Sequence, residues 1–501
     1  MRKNSVQHRT LAAVVASAML LAACGGGGSG SVAVQPGGGN TGGTPSPTPA
    51  PAPPATGTCA LGARQSWVLA QMREWYLFPE TLPAALDPAG FSTLDTYVDG
   101  LTATARTQGR DRFFTYVTSI AEENAFNSSG ATAGFGFRLA VNASNQLVVS
   151  ESFESAPALA AGIDRGTQII GIGTTTADVR TVQDIVNSGG NAALTNAFGP
   201  DTPGTTRVLR VRGLDGFQRD VSVAKANFNL SPVSSRYGAR VIDNGGQRVG
   251  YLNLRTFILS ADPQMREAFA RFRAEGITNL IVDVRYNGGG LLSTAELLGD
   301  LMGGDRTPSQ IFSTLRFRPE KAAENRTKFF AQQPQTIAPM RVAFIGTGGS
   351  ASASELIVNA FIPYLNNRAA LIGTNTFGKP VGQIALDRAE CDDRLRVVAF
   401  ATVNADNQGD YYGGLASTVR ASCQASDDLN FQMGDPREQS TARALDFLAG
   451  RSCTPIAGTQ AAATMPGQTG GRNAGQSFAQ GQELLVPLRP TPMQREVPGA
   501  F

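Results

Sequence analysis

Between Gln247 and about Gly450 the sequence alternates short, mostly apolar runs with longer amphipathic ones, and several of the apolar runs lead into glycine-bearing turns. Val249 to Leu254 reads as a strand and Asp262 to Glu275 as an amphipathic helix. Leu280-Ile281-Val282-Asp283-Val284 reads as a buried strand running into Asn287-Gly288-Gly289-Gly290, with a helix to about Met302. Arg341 to Ile345 is a further buried strand, followed by Gly346-Thr347-Gly348-Gly349 and a helix from Ser352. Ala370 to Gly373 leads to Thr376-Phe377-Gly378-Lys379. Buried strands alternating with amphipathic helices read as an α/β layer. Strand–loop–helix crossings of this kind put their loops at one edge of a sheet, where sites form.

Upstream, residues 62–128 carry helical spacing, in Trp67-Val68-Leu69-Ala70-Gln71-Met72 and around Leu94 to Leu101. A second unit opens with Gly134-Phe135-Gly136-Phe137. It continues through a strand at Leu147 to Val149, a turn-helix at Ser155 to Gly162, and Gln168 to Ile172. A helix near Val182 to Asn187 and strands around Val208 to Val211 and Val221 to Val223 complete it. This order resembles a PDZ domain. The resemblance implies that the Gly134–Phe137 backbone N–H groups receive a peptide's C-terminal carboxylate while the peptide adds as a strand.

The N-terminus reads as a targeting segment. Arg2, Lys3 and Arg9 form a basic region, Leu11 to Leu21 an apolar run too short to span a bilayer, and Leu21-Ala22-Ala23-Cys24 a small-residue end. This resembles a bacterial lipoprotein signal, with Cys24 the lipidated residue. Gly25 in place of an aspartate favours the outer membrane, facing the periplasm. Gly25 to Gly57 is almost wholly Gly, Pro, Ser, Thr and Ala, the composition of a tether. Lysine plus arginine number 43 against 40 acids; without the first 23 residues the balance is 40 to 40. Such a chain offers no electrostatic case for nucleic acid. Cys59, Cys391, Cys423 and Cys453 remain, an even number that suits two disulfides in an oxidising compartment. Of the three connectivities, the expected one is Cys391–Cys423 and Cys59–Cys453.

The single histidine is His8, inside the targeting segment. Without imidazole, Ser-His-Asp and Cys-His catalysis are excluded, and most zinc sites lose their usual ligands. No metal or cofactor is expected. Beyond that segment there are four lysines, Lys225, Lys321, Lys328 and Lys379. A desolvated lysine can serve as a base, whereas arginine cannot lose its proton.

Three loops carry the chemistry. Ser350-Ala351-Ser352-Ala353-Ser354-Glu355 opens a helix after a buried strand, where a hydroxyl meets free backbone N–H groups and the positive end of the helix dipole. Ser352 and Glu355 also have the spacing of a capping box, a purely structural role. Asn287-Gly288-Gly289-Gly290 lacks the ending of a nucleotide loop and suits an oxyanion donor instead. In Thr376 to Gln383, an extended chain puts Lys379 and Gln383 on one face, where the glutamine would orient the amine.

These three motifs, Asp283 to Gly290, Ser350 to Glu355 and Thr376 to Gln383, resemble those of the tail-specific, or C-terminal processing, serine peptidases over roughly residues 62–450. The resemblance implies an α/β (α+β) protease core of crotonase-like ββα type, with an N-terminal helical segment and an inserted PDZ domain. It assigns Ser352 as nucleophile, Lys379 as base, Gln383 as its support, and Gly289 or Gly290 with Ala353 as oxyanion donors. The peptide-binding residues fall on Gly134, Phe135, Gly136 and Phe137. The implied division is a signal peptide at 1–23, a tether at 24–58 and a helical segment at 59–130. A PDZ domain at 131–228, a peptidase core at 229–453 and a low-complexity, disordered tail at 454–501 follow. Pro380 stands where these peptidases usually have glycine.

The expected function is hydrolysis of periplasmic or envelope proteins recognised by their free C-termini. The alternatives are a non-catalytic PDZ lipoprotein that binds C-termini as an adaptor, and an acyl-CoA enzyme of similar oxyanion architecture. Phe135 and Phe137 should favour an apolar final residue. The chain itself ends Pro498-Gly499-Ala500-Phe501, so self-occupancy of the loop is a further alternative.

Overall fold

Three sheets organise the protein, seen in a computed structural model that describes residues 57–142, 144–457, 477–478 and 482–501. The targeting segment, Cys24 and the tether up to residue 56 lie outside the described residues.

The central sheet has six strands in the order Ala239–Asn244, Gln247–Asn253, Asn279–Asp283, Arg341–Gly346, Ala369–Gly373 and Ser422–Gln424. Its first pair is an antiparallel hairpin and every later pairing is parallel. The parallel strands are the mostly apolar runs of the sequence. They are buried on both faces, by the helices Ala261–Ala274, Leu292–Met302 and Ala353–Leu365 on one side and Gln439–Leu448 on the other. Because the strands run the same way, the turns after Asp283, Gly346 and Gly373 emerge at one edge.

A second sheet of five strands has the order Tyr116–Ser119, Asp393–Val403, Ile311–Phe317 and Arg326–Phe329, with Val381–Arg388 also paired to Asp393–Val403. The first helix, Leu61–Trp75, packs on this sheet, and Arg64 pairs with Asp393 at 2.5 Å. The strand Val381–Arg388 begins two residues after Lys379, so this sheet carries the lysine loop.

The third sheet joins Phe137–Val141, Leu147–Ser152, Gln168–Gly173, Thr206–Arg212 and Gln218–Ala224, beside the short pair Ala131–Gly134 and Ala226–Asn229. The helix expected near 182–187 extends over Val182–Ala197, with a kink at Gly189 and Gly190. Buried charges tie this unit to the central sheet. Arg255 donates to Glu151 and Glu154, both at 2.6 Å, and Arg165 reaches Asp427 at 2.5 Å.

Two expectations are corrected. The disulfides are Cys59–Cys391 and Cys423–Cys453, not Cys391–Cys423 with Cys59–Cys453. Cys59 precedes the first helix, which docks on the hairpin whose turn holds Cys391. Cys453 follows the Gln439–Leu448 helix, which packs beside the strand holding Cys423. Each cysteine thus meets the neighbour that helix docking brings to it.

The tail is also not featureless to its end. Gln482–Leu484 adds to the edge of Phe137–Val141, Pro492–Glu496 is a short helix, and Met493, Val497, Ala500 and Phe501 are buried.

Candidate active site

The serine loop is built from the strand before it and the turn beside it. After Gly346, Ser350 Oγ donates to the Val284 carbonyl at 2.8 Å and accepts from Thr347 N–H at 3.0 Å. Ala351 N–H and Ser354 Oγ both reach the Asn287 carbonyl, at 3.0 and 2.9 Å. Strapped on both sides, Ser352 is held at φ 55° and ψ −114°, and the helix begins at Ala353. Holding a serine in this region costs about 1–3 kcal/mol, and the surrounding hydrogen bonds over-determine it.

The glycine turn lies against the serine. A methyl group on Gly289 would stand 2.8 Å from Ser352 Cβ, so no side chain fits there. Two N–H groups of the turn are already engaged: Gly289 donates to Asn287 Oδ1 at 3.0 Å, and Gly288 to the Glu496 carbonyl at 2.8 Å. Phe257 pairs with the turn through the Gly289 carbonyl and the Leu291 N–H, which leaves the Gly290 N–H pointing away from Phe257. Of the two glycines expected as oxyanion donors, Gly290 therefore has the free N–H and Gly289 does not. Ala353, at the first helical position, has no intrahelical acceptor for its N–H. Both residues line one cleft with Ser352, Lys379 and Gln383.

Beneath the turn, Arg285 donates to Asp283 at 3.0 Å, to Asp427 at 2.8 Å and to both oxygens of Glu438 at 3.0 and 2.9 Å. The Asp-Val-Arg-Tyr that precedes the glycines is the base on which they stand.

Glu355 joins the serine loop to the lysine loop. Its side chain is 0% exposed. It accepts from Ser352 N–H at 3.1 Å, Gly378 N–H at 2.6 Å, Lys379 N–H at 2.7 Å and Thr376 Oγ1 at 2.6 Å. Burial pushes its carboxyl up and these four donors oppose that shift. The capping-box spacing revealed only the contact to Ser352.

Lys379 Nζ donates to Gln383 Oε1 at 3.0 Å and lies 5.3 Å from the centre of the Phe114 ring. Gln383 Nε2 in turn donates to the Phe114 carbonyl, which can only accept. That contact fixes which end of the amide faces the lysine. Burial pulls the Lys379 ammonium below the ordinary lysine range; Glu496 and Asp111 push it back up.

The N-terminal segment supplies supports that the sequence did not announce. Asp111 accepts from the Phe114 and Thr115 N–H groups at 2.7 and 3.1 Å and from Tyr76 OH at 2.8 Å. Arg112 donates to the carbonyls of Phe377, Gly378 and Tyr412 at 2.8, 2.5 and 3.2 Å, clamping the loop that carries Lys379. No local signal marks it, since its acceptors lie more than 260 residues away.

The Gly134–Phe137 loop faces a different groove. Its Gly136 and Phe137 N–H groups meet the terminal Phe501 oxygen at 2.8 and 3.4 Å. Gly136 has φ 79°, and an added Cβ would fall 2.0 Å from Ala156 Cβ. Phe135 and Phe137 stack at 5.5 Å and belong to the same apolar cluster as Phe198 and Phe501.

Residues 248–410 match the model of Peptidase family S41, and residues 63–116 that of the Peptidase S41 N-terminal domain. The carboxyl-terminal-processing protease of Picosynechococcus sp. is 28% identical over 260 residues, 50% of this chain and 56% of that protein. The chloroplastic carboxyl-terminal-processing peptidase 3 of Arabidopsis thaliana is 27% identical over 273 residues, 53% of this chain and 49% of that one. The chain thus spans about half the length of these curated relatives. A Bacteroides fragilis structure assigned to the S41 proteases superposes with a TM-score of 0.60 at 22% identity, over 77% of this chain and 97% of that one, a likeness of fold. In both matched segments, residues 63–116 and 248–410, the chain is similar to peptidase family S41.

Proposed function

We propose that this protein is a serine endopeptidase of the C-terminal processing type, working through Ser352 and Lys379. The observation that carries the reading is Glu355, one buried carboxylate that holds the backbone of both residues beside a shared cleft. Neutral Lys379 takes the proton from Ser352 Oγ as that oxygen attacks the substrate carbonyl. Charge developing on the carbonyl oxygen is met by the Gly290 and Ala353 N–H groups, and such a donor is typically worth about 3 kcal/mol. The C–N bond breaks, the Lys379 ammonium protonates the leaving amine, and the ester forms on Ser352. Water, deprotonated by the same lysine, then releases the acid and restores the serine. Gln383 keeps the amine aimed throughout.

Residues 131–228 act as a PDZ-type module that selects free C-termini, and Cys24 anchors the protein by lipid to the outer membrane, facing periplasmic substrates. Residues 59–130 and 229–453 form the helical segment and the peptidase core. Ser352→Ala and Lys379→Arg should each abolish turnover, read as release of new amino termini from an unfolded protein substrate, while circular dichroism stays unchanged. Substantial turnover in Lys379→Arg would sink the mechanism, since arginine cannot act as the base. Binding of C-terminal peptides with no turnover in the unmutated protein would favour the adaptor reading instead.

A further inference from the structure

The last twenty residues touch both places where a substrate would have to sit. At the carboxyl end, Phe501 N–H donates to the Phe137 carbonyl at 2.9 Å, and Leu139 N–H donates to the Gly499 carbonyl at 2.8 Å. Arg138 and Ala500 form an antiparallel bridge, so the terminus lies as an added strand. Its terminal oxygen accepts from the Gly136 and Phe137 N–H groups, and the Phe501 ring, 5.1 Å from Phe198, is only 4% exposed.

Five residues earlier, the same chain crosses the catalytic cleft. The Glu496 carbonyl accepts from Gly288 N–H, in the glycine turn itself, and Glu496 lines the cleft together with Ser352, Lys379 and Gln383. Between the two ends the tail is fastened. Met493, Val497 and Ala500 pack against Phe126, Phe153, Phe228 and Ile258, and Gln494 Nε2 bridges the Ala500 carbonyl and Asp201.

We propose that residues 482–501 are a built-in peptide ligand. They occupy the carboxylate groove through Phe501 and block the catalytic cleft through Glu496, until the free C-terminus of another polypeptide, ending in an aromatic or large apolar residue, displaces them. The occupied groove also defines what a competitor needs. It must have a free carboxylate for Gly136 and Phe137, a flat apolar side chain for the Phe198 cluster, and an extended backbone for the edge of Phe137–Val141. The blocking half rests on the Ser352–Lys379 reading; the groove half does not.

A tethered ligand acts at an effective concentration on the order of millimolar, so a free peptide must compete with it. The test compares the intact chain, a chain ending at Gly481, and Phe501→Asp, which keeps the tail at full length. The probe is a fluorescent decapeptide copying residues 492–501, as free acid and as amide. The shortened chain should bind the acid at least tenfold more tightly than the intact chain, Phe501→Asp should fall between them, and the amide should bind at least tenfold more weakly than the acid. Equal affinity for the acid in all three proteins overturns the proposal, as does absence of binding in both altered forms. In the second arm, both altered proteins should cut an unfolded protein several-fold faster than the intact chain, and saturating decapeptide should slow the shortened form. Tighter binding without faster cutting overturns the block and leaves the groove ligand standing. Tighter binding with no cutting by any form refutes the peptidase reading alone.

Discussion

The Ser352–Lys379 cleft and the groove at Gly134–Phe137 are built by opposite means. The cleft is held by buried charge: Glu355 accepts four hydrogen bonds, Arg112 spends its donors on three carbonyls, and Arg285 braces the glycine turn. The groove is a sheet edge with a glycine-bearing loop, and what it offers is backbone N–H and C=O. Buried charges leave the cleft one low-energy arrangement whether or not peptide is bound. A sheet edge carries backbone groups that need partners, and residues 482–484 and 499–501 supply them here. Pre-organisation by buried charge in the first region and backbone pairing along an edge in the second are therefore different properties, and substitutions should separate them.

The largest effect should come from Glu355→Gln. The amide keeps the shape but turns one acceptor into a donor that faces backbone N–H groups. The buried mismatch should cost about 1.5–3 kcal/mol in urea unfolding, the range for hydrogen bonds to charged groups. Since the backbones of Ser352 and Lys379 are then no longer held together, turnover should fall about 100-fold, the usual cost of displacement on the order of 1 Å. Acid-versus-amide discrimination in the groove should persist. A loss of that discrimination equal to the loss of turnover would mean that the two regions are one mechanical unit.

Gly136→Ala breaks the other side. The residue sits at φ 79° with Ala156 Cβ in the way, so the loop must shift and its N–H groups lose their aim. The preference for free acid over amide should collapse by about tenfold, the worth of roughly one charge-assisted hydrogen bond. Unchanged preference would show that carboxylate recognition does not depend on this loop.

How far each region could be read in advance follows from the same difference. Ser352, Lys379, Gln383 and the glycine turn lie in short motifs whose residue types are required by the chemistry, and the structure gathers four of the expected catalytic and oxyanion residues with Gly290 in one cleft. Alternation of apolar runs announced the central sheet because parallel strands must be buried on both faces. Arg112 was illegible because Gln108-Gly109-Arg110-Asp111-Arg112 looks like any solvated turn. Its acceptors are backbone carbonyls, which leave no trace in sequence. The cysteine count implied two disulfides, yet pairing depends on how helices dock, which spacing does not encode. The Gly-, Gln- and Ala-rich stretch after Thr454 concealed the apolar segments at Leu484-Leu485-Val486 and Val497 to Phe501. Their partner is a sheet edge and a loop over 340 residues earlier, so no local pattern marks them.

The smallest effect is the one that links the two regions, Glu496→Gln. The groups that act on Lys379 are Glu496 and Asp111, which raise its pKa, and Arg396 and Arg495, which lower it, all against the dominant lowering by burial. Replacing the Glu496 carboxylate with an amide of the same size keeps the burial and removes one raising charge. The Lys379 pKa should therefore drop further, and the neutral amine, the base in the proposed mechanism, should survive to lower pH. Activity follows the neutral form, so it is lost as pH falls through the lysine's folded pKa, and in the variant this acid limb should move downward by a fraction of a unit to about one unit, the scale of a nearby partly screened charge. The same variant keeps the Glu496 carbonyl on Gly288, so the tail still crosses the cleft and activity at high pH should change little. In the shortened chain that ends at Gly481, the charge and the covering segment leave together. Added water then favours the ammonium while the lost carboxylate favours the amine, and the limb should shift less than in Glu496→Gln. An acid limb that stays fixed in Glu496→Gln, or moves upward, would show that this carboxylate does not act on Lys379.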